Sequence, residues 1–255
     1  MAIDLRSKRA SFRALHREGC FILPNPWDIG GIRRLEKLGF KALASTSAGA
    51  AWAVGRNDGE LTRDEVLEHL RVLCAATDLP INADFEAGFA DAPEEVATNV
   101  ALALDTGLAG LSIEDRTGRT LYEVPTAVDR IKAARQAIAN SGHDVVLVAR
   151  SEGFLIGRTD LAATVDRLVA YADAGADCLY APGVRDISAI ATLVSAVAPK
   201  PVNALLLGPD MRVASLADAG VRRVSTGGGL AAAAWSGFDR AVRLLIDEGT
   251  LPKRE

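Results

Sequence analysis

Cysteine is nearly absent. The 255 residues hold three, Cys20, Cys74 and Cys178, far apart and never spaced C-x-x-C. That excludes a disulfide framework and a structural zinc ribbon, and it predicts a reduced, cytoplasmic setting. Histidine is as scarce: His16, His69 and His143 are scattered, so no Ser-His-Asp site can be assembled from the pattern. No apolar run approaches the ~20 residues of a membrane span. The first residues, Met1 to Arg13, are polar and helix-like and lack the apolar stretch of a signal peptide. Aromatics make up only 5%, no basic cluster interleaves with them, and the net charge is −4. Nothing here attracts nucleic acid or an anionic membrane. Neither a G-x-G-x-x-G after the first strand nor a P-loop is present, which weakens a nucleotide-binding reading.

What the chain does have is a large apolar content, 49%, with 24% charged residues. Short β-rich runs alternate with amphipathic helical stretches. Strands are predicted at about Phe21–Leu23, Ala42–Ser45, Ile81–Asp84, Gly110–Ile113, Val145–Ala149, Cys178–Tyr180, Val202–Leu205 and Arg223–Ser225. Helices fall between them, among them Thr62–Ala76, opened by a Thr62/Glu65 capping box, and a final Leu230–Glu248. Leu38-Gly39, Thr106-Gly107, Ala174-Gly175 and Ala219-Gly220 each put glycine just past a helix and before an apolar strand, the grammar of a left-handed cap. Eight such units predict one closed (β/α)₈ barrel over residues 1–255, although a doubly wound sheet shares much of this grammar. Ser47–Leu61, with three glycines, is the longest connection and a candidate lid.

Two acidic strand ends carry the chemistry. Ile81-Asn82-Ala83-Asp84-Phe85-Glu86-Ala87-Gly88 and Gly110-Leu111-Ser112-Ile113-Glu114-Asp115 each run from apolar residues into carboxylates. In parallel α/β proteins the carboxyl ends of strands form the functional rim. Asp84, Glu86 and Glu114 can therefore converge on one hard divalent cation, Mg²⁺ in the first place, with Mn²⁺ suiting the same oxygens. The alternative is ion pairing of these acids with rim arginines. Arg150, closing the strand Val145–Ala149, can grip a substrate carboxylate or pair with Glu114 or Glu152. Gly227-Gly228-Gly229 is open to a phosphate cradle or a plain tight turn. Trp27 and Asn203 are further candidates for the substrate site.

Taken together, these segments resemble the isocitrate lyase/phosphoenolpyruvate mutase superfamily. Asn25-Pro26-Trp27-Asp28 is similar to its opening strand motif, and Ala44-Ser45-Thr46-Ser47-Ala48-Gly49 to its small-residue substrate loop. Asp84-Phe85-Glu86-Ala87-Gly88-Phe89 resembles the D-x-D-x-G-Y metal motif. Ser112-Ile113-Glu114-Asp115 resembles the I-E-D segment, Val148-Ala149-Arg150-Ser151-Glu152 the A-R-T-D segment, and Val221–Gly227 the last-strand motif. The resemblance implies a Mg²⁺-dependent barrel, usually tetrameric, with its last helix exchanged between subunits in many members. It implies metal contacts from Asp84, Glu86 and Glu114, with Asp58 acting through water. Substrate contacts would come from Ser45, Thr46, Ser47 and Arg150. The expected substrate is a small carboxylic acid, handled through a pyruvate-type enolate.

One departure bears on the reaction. Lyases of the family carry a K-[KR]-C-G-H loop after the I-E-D segment. Here the region reads Arg116-Thr117-Gly118-Arg119-Thr120-Leu121-Tyr122-Glu123, with no cysteine, histidine or lysine and without the asparagine-bearing loop of the mutases. Arg116, Arg119 or Tyr122 would have to supply a proton or an anion contact. The expectation is C–C cleavage or decarboxylation of an α-oxo or 2-hydroxy di-acid, since decarboxylation needs no specialised acid to release CO₂. Phosphonopyruvate C–P chemistry is one alternative, and a barrel that binds a metabolite without turning it over is another.

Overall fold

The computed structural model describes residues 4–253; the first three residues of the predicted N-terminal helix lie outside them. Eight strands are all parallel: β1 (Phe21–Leu23), β2 (Leu43–Ala44), β3 (Ile81–Asp84), β4 (Gly110–Glu114), β5 (Val146–Arg150), β6 (Cys178–Tyr180), β7 (Val202–Leu205) and β8 (Arg223–Ser225). Their order around the sheet is β1-β8-β7-β6-β5-β4-β3-β2. The two ends meet where Ala44 N donates to Pro24 O at 3.0 Å and Asn25 Nδ2 to Ser45 O at 2.7 Å. Asn25 Oδ1 also accepts from Thr226 N and Gly227 N, at 2.9 and 3.0 Å. One side chain thus stitches together the ends of β1, β2 and β8. The result is a (β/α)₈ barrel, as predicted, and not a doubly wound sheet.

The helices are α1 (Leu5–Leu15), α2 (Ile29–Lys37), α3 (Ser47–Ala53), α4 (Arg63–Ala75), α5 (Pro93–Leu104), α6 (Val124–Asn140), α7 (Leu161–Asp173), α8 (Ile187–Ala196), α9 (Val213–Asp218) and α10 (Gly229–Glu248). The α4 capping box forms as expected, and Pro93 opens α5 at its first turn. Gly175 and Gly220 end their helices at φ +102° and +89°. A Cβ there would also sit 2.9 Å from Arg135 Cγ and Val194 Cγ1 respectively, so glycine is required twice over.

The candidate lid is different from its reading as a long loop. Its first half is helix α3, because Thr46 Oγ1 accepts from Gly49 N at 3.2 Å and caps a run of small residues. The loop after β4 folds into a hairpin, Arg116–Thr117 against Thr120–Leu121.

Most of the core lies between the strands and the helices, where Leu43, Leu70, Ile81, Leu108, Leu111, Leu147, Leu168, Leu179 and Val224 are buried. The cluster inside the barrel is smaller: Phe12, Leu23, Ala42, Ala44, Val146, Val148 and Cys178, with Tyr180. Phe12, from α1, belongs to this inner cluster. Gly110 makes room for it, since a Cβ there would come 2.6 Å from Phe12 Cε1 and 2.8 Å from Asn82 Oδ1. Barrel interiors are commonly filled with branched apolar residues. This one also buries Asn25, Asn82, Ser112, Asn203, Arg223 and Ser225.

Candidate active site

A cavity of about 160 Å³ opens at the carboxyl ends of the strands. Ser45, Thr46, Ser47, Asp58, Asp84, Glu114 and Arg150 line it, seven of the residues anticipated from the sequence. Strand register sets their spacing: Asp84 lies opposite Ser112, and Glu114 opposite Arg150.

Arg150 stands at the centre. Its Nη1 is 2.7 Å from Asp84 Oδ1 and 3.1 Å from Glu114 Oε1, and its Nε donates to Glu152 Oε1 at 2.8 Å. Arg116, from the hairpin, adds a second guanidinium: Nε lies 3.1 Å from Glu114 Oε2 and 3.4 Å from Glu152 Oε2. Burial alone would lower the Arg150 pKa, but Glu114, Glu152 and Asp84 together hold it well above the ordinary value. Asp84 is fixed further by Ser47 N, 3.0 Å from Oδ2, while its own N donates to Ser45 Oγ at 2.8 Å. Ser47, anticipated as a substrate contact, gives its N–H here to a protein carboxylate.

The expected convergence of Asp84, Glu86 and Glu114 on a single cation is not what this conformation shows. Among the described residues no three His, Cys, Asp or Glu side chains stand as a ready ligand set. The buried acids require neutralisation, and the arginines supply it. Arg150 accordingly takes the ion-pairing role that its position also allowed.

Glu86 stands apart. It lies in a second cavity of about 480 Å³, shared with Asp58, Glu114, Arg116 and Tyr122. Its Oε1 is buried without a hydrogen-bond partner. Burial, then the charges of Asp84 and Asp58, push its pKa up to about 7. Glu114 is raised too, chiefly by burial and then by Glu152 and Asp84, against the pull of Arg150. Glu86 (φ +46°) and Phe89 (φ +57°) are left-handed, a strained turn of the kind found at functional sites. Asn99 Nδ2 donates to Gly88 O at 2.9 Å, and the Arg130 guanidinium donates to the carbonyls of Ala87, Ala90 and Asp91, holding the turn in place.

An orphaned carboxylate oxygen, two acids with raised pKa and Asp58 bordering both cavities form a donor set suited to a hard divalent cation. The linkage has a definite sign. A carboxylate whose native pKa is raised binds more protons folded than unfolded, so stability falls as pH rises from about 4.5 through about 7 for Glu86. A cation bound there would replace that proton. The rise in melting temperature caused by Mg²⁺ or Mn²⁺ should therefore grow from pH 5.5 to 7.5, and Glu86→Gln should flatten the growth. A metal-induced shift independent of pH would sink this expectation.

Three anticipated residues sit elsewhere. Trp27 is half-buried beside α3, with its Cβ 2.9 Å from where a Gly49 Cβ would lie, and it does not line the cavity. Asn203 is buried between Arg223 and Ser225. The Tyr122 hydroxyl donates to Asp91, Arg130 Cζ lies 4.2 Å above its ring, and it lines the second cavity only. Its proton is thus engaged away from Arg150. Asp115, beside Glu114, accepts from Glu152 N at 2.8 Å and from the Tyr171 hydroxyl at 2.6 Å, which anchors the acidic strand end to α7. The sequence reading did not place Asn25, Asn82, Ser112, Tyr180, Arg223 and Ser225 in the cavity. Their signal was period-two alternation, as in Asn82/Asp84 and Arg223/Ser225, which puts polar side chains on one strand face.

The phosphoenolpyruvate phosphomutase family model matches residues 12–246. The chain belongs to this family, within the isocitrate lyase/PEP mutase superfamily. Among the family's relatives, the 2-methylisocitrate lyase of Escherichia coli is 30% identical over 76% of this chain and 69% of its own length. The oxaloacetate decarboxylase of Pseudomonas paraeruginosa is 29% identical over 86% of this chain and 78% of its own. A Burkholderia cenocepacia structure, provisionally described as a lyase/mutase, superposes with a TM-score of 0.94 at 47% identity, covering 97% of this chain and 92% of that one. The chain is an enzyme of this lyase-type superfamily. No helix among its described residues is long and apolar enough to cross a membrane.

Proposed function

We propose that the protein is a divalent-metal-dependent lyase that cleaves a C–C bond in a small α-oxo di-acid, with decarboxylation of an oxaloacetate-sized substrate as the leading reaction. The observation that carries this reading is the lining of the cavity: Asp84 and Glu114 meet Arg150 there, and no cysteine or histidine is among the lining residues.

Asp58, Asp84, Glu86 and Glu114 would hold Mg²⁺ or Mn²⁺, largely through waters, as Mg²⁺ retains several. The bound ion supplies Lewis-acid stabilisation of enolate charge. A cation bound by Asp84 and Glu114 neutralises the acids that Arg150 now serves, which frees its Nη1 for a substrate carboxylate. Arg150 is kept in place meanwhile by Glu152, which is fully buried, and lies 5.1 Å from the Tyr180 ring centroid. The main cavity holds no cysteine or histidine to act as an acid. Loss of CO₂ leaves its electron pair on the enolate, whose carbon then takes a proton from water.

Pyruvate release, coupled to lactate dehydrogenase, tests this with oxaloacetate, 2-methylisocitrate, 2,3-dimethylmalate and phosphonopyruvate, each with Mg²⁺, with chelator and with Asp84→Asn. Release from oxaloacetate, lost with chelator and cut on the order of 10²-fold or more in the variant, is the expected result. Release from phosphonopyruvate alone would move the enzyme to C–P chemistry, which the family model's name favours. Binding without release from any acid would leave a metabolite-binding barrel.

A further inference from the structure

Arg223 is 2% exposed and points into the barrel rather than to its rim. Its Nε donates to Asn203 Oδ1 at 2.8 Å and its Nη1 to Asn82 Oδ1 at 3.2 Å, with His16 Nε2 at 3.5 Å. All these partners are neutral. Burial, and then the Arg223 charge itself, drive the His16 pKa down to about 3, so the imidazole carries no proton charge near neutrality. The other ionisable groups around the guanidinium are Cys178, Tyr180 and Arg150. Burial pushes the Cys178 thiol up to about 11 and the Tyr180 hydroxyl up to about 12, so both stay neutral. Among the described residues no carboxylate pairs with Arg223, whereas Arg150 has three.

An arginine enclosed this fully without a counter-charge is costly to keep. Interior stability would be served better by the branched apolar residues usual at such positions. Arg223 reaches the active-site cavity, which it lines together with Ser225, Asn25 and Tyr180. Ser225 Oγ lies 2.9 Å from Asn203 Nδ2 and 3.5 Å from the Tyr180 hydroxyl, so the floor presents further polar groups beside the cation. Tyr180 faces both ends of the cavity floor: Arg150 Cζ lies 5.1 Å from its ring centroid, and its hydroxyl is 3.5 Å from Ser225 Oγ.

We propose that Arg223 and Ser225 form a carboxylate subsite on the cavity floor, and that this subsite selects acids carrying a second carboxylate over monocarboxylates. As a statement about substrate choice it rests on the lyase reading above; as a binding site it does not. The incoming carboxylate supplies the negative charge the interior lacks, and guanidinium–carboxylate pairing gives charge-assisted hydrogen bonds.

Calorimetric titration of the full chain in Mg²⁺ with succinate and with pyruvate tests the subsite without turnover. Arg223→Met should weaken succinate at least about tenfold and pyruvate less than about twofold, and Arg223→Lys should keep succinate within about threefold of wild type. Asn203→Asp is the decisive variant, because it adds a carboxylate next to Arg223 Nε and leaves the arginine in place. It should raise the melting temperature and still lose succinate preference, whereas a purely structural Arg223 would give the first effect without the second. Succinate binding untouched by Asn203→Asp in a folded protein overturns the subsite, and so does a wild type that does not bind succinate. If Arg223→Met does not fold, Asn203→Asp decides alone. Absence of turnover from every acid, with succinate preference intact and Arg223-dependent, would remove the lyase reading and leave the subsite. Turnover with succinate binding indifferent to both variants would do the reverse.

Discussion

Replacing Arg150 with methionine is expected to lower turnover on the order of 10²–10³-fold and to destabilise the fold by about 3–5 kcal/mol. Both effects have one origin. Arg150 holds Asp84, Glu114 and Glu152 within 3.1 Å, and Glu152 is fully enclosed. Methionine keeps the apolar stem and leaves three acids facing one another with only Arg116 near two of them. Breaking a buried pair from one side costs far more than the pair contributes, because the remaining charge is stranded. The penalty should shrink as pH falls, since protonation removes the stranded charges. Thermal melts of wild type and variant should therefore converge toward pH 5, while turnover remains lost. Arg150→Lys restores charge but not the fork that reaches Asp84 and Glu152 from different nitrogens, so it should recover more stability than activity. A methionine variant with wild-type melting temperature and turnover would show that this network is dispensable.

The second large effect concerns assembly. Helix α10 runs for twenty residues, yet Ala231 is its one buried residue. Trp235, Phe238, Leu245 and Ile246 are 41%, 59%, 50% and 76% exposed, and the Trp235 and Phe238 rings pack on each other at 5.9 Å. Apolar side chains exposed together along one helix are what a subunit contact would cover. The expected protein is an oligomer in which α10 seats on a second copy, in line with the exchanged last helix and tetramer that the family resemblance implies. Light scattering after size exclusion should give a multiple of the 26.8 kDa chain mass. Phe238→Glu combined with Ile246→Glu should reduce it to that of one chain, because two charges would have to be desolvated against apolar surface. A wild type running as a single chain would remove the expectation.

The barrel was legible because its signals are local. Each of the eight predicted strands occurs within a residue or so of its expected bounds, since apolar runs flanked by helix-ending glycines need no tertiary knowledge to read. Helix α3 was not legible: Ser-Ala-Gly-Ala-Ala-Trp-Ala lacks an amphipathic stripe, and its cap, Thr46, was assigned to substrate instead. In the site, the acids and Arg150 stood out because charge at a buried strand end is rare. Which acid meets which arginine depends on register between strands, here Glu114 opposite Arg150, and on the hairpin that returns Arg116 to Glu114. Neither is written in any one segment. Arg223 was noted only as part of the last-strand segment Val221–Gly227, with no role of its own, because only barrel closure brings its side chain against Asn82 of β3.

The polar hollow of this barrel has a bearing on how such an enzyme changes over time. Cohesion comes mainly from the layer between strands and helices, and comparatively little from Phe12, Leu23 and the small residues within the barrel. Outside Asn25, which ties the strand ends together, substitutions among Asn82, Asn203, Arg223 and Ser225 therefore act on a compartment set apart from the main cohesive layer. New specificities can be tried there at little risk to the scaffold. Apolar replacements in the same places would tend to yield a sturdier barrel with nothing left to do, the familiar opposition of durability and activity, here separated into two concentric regions of one chain.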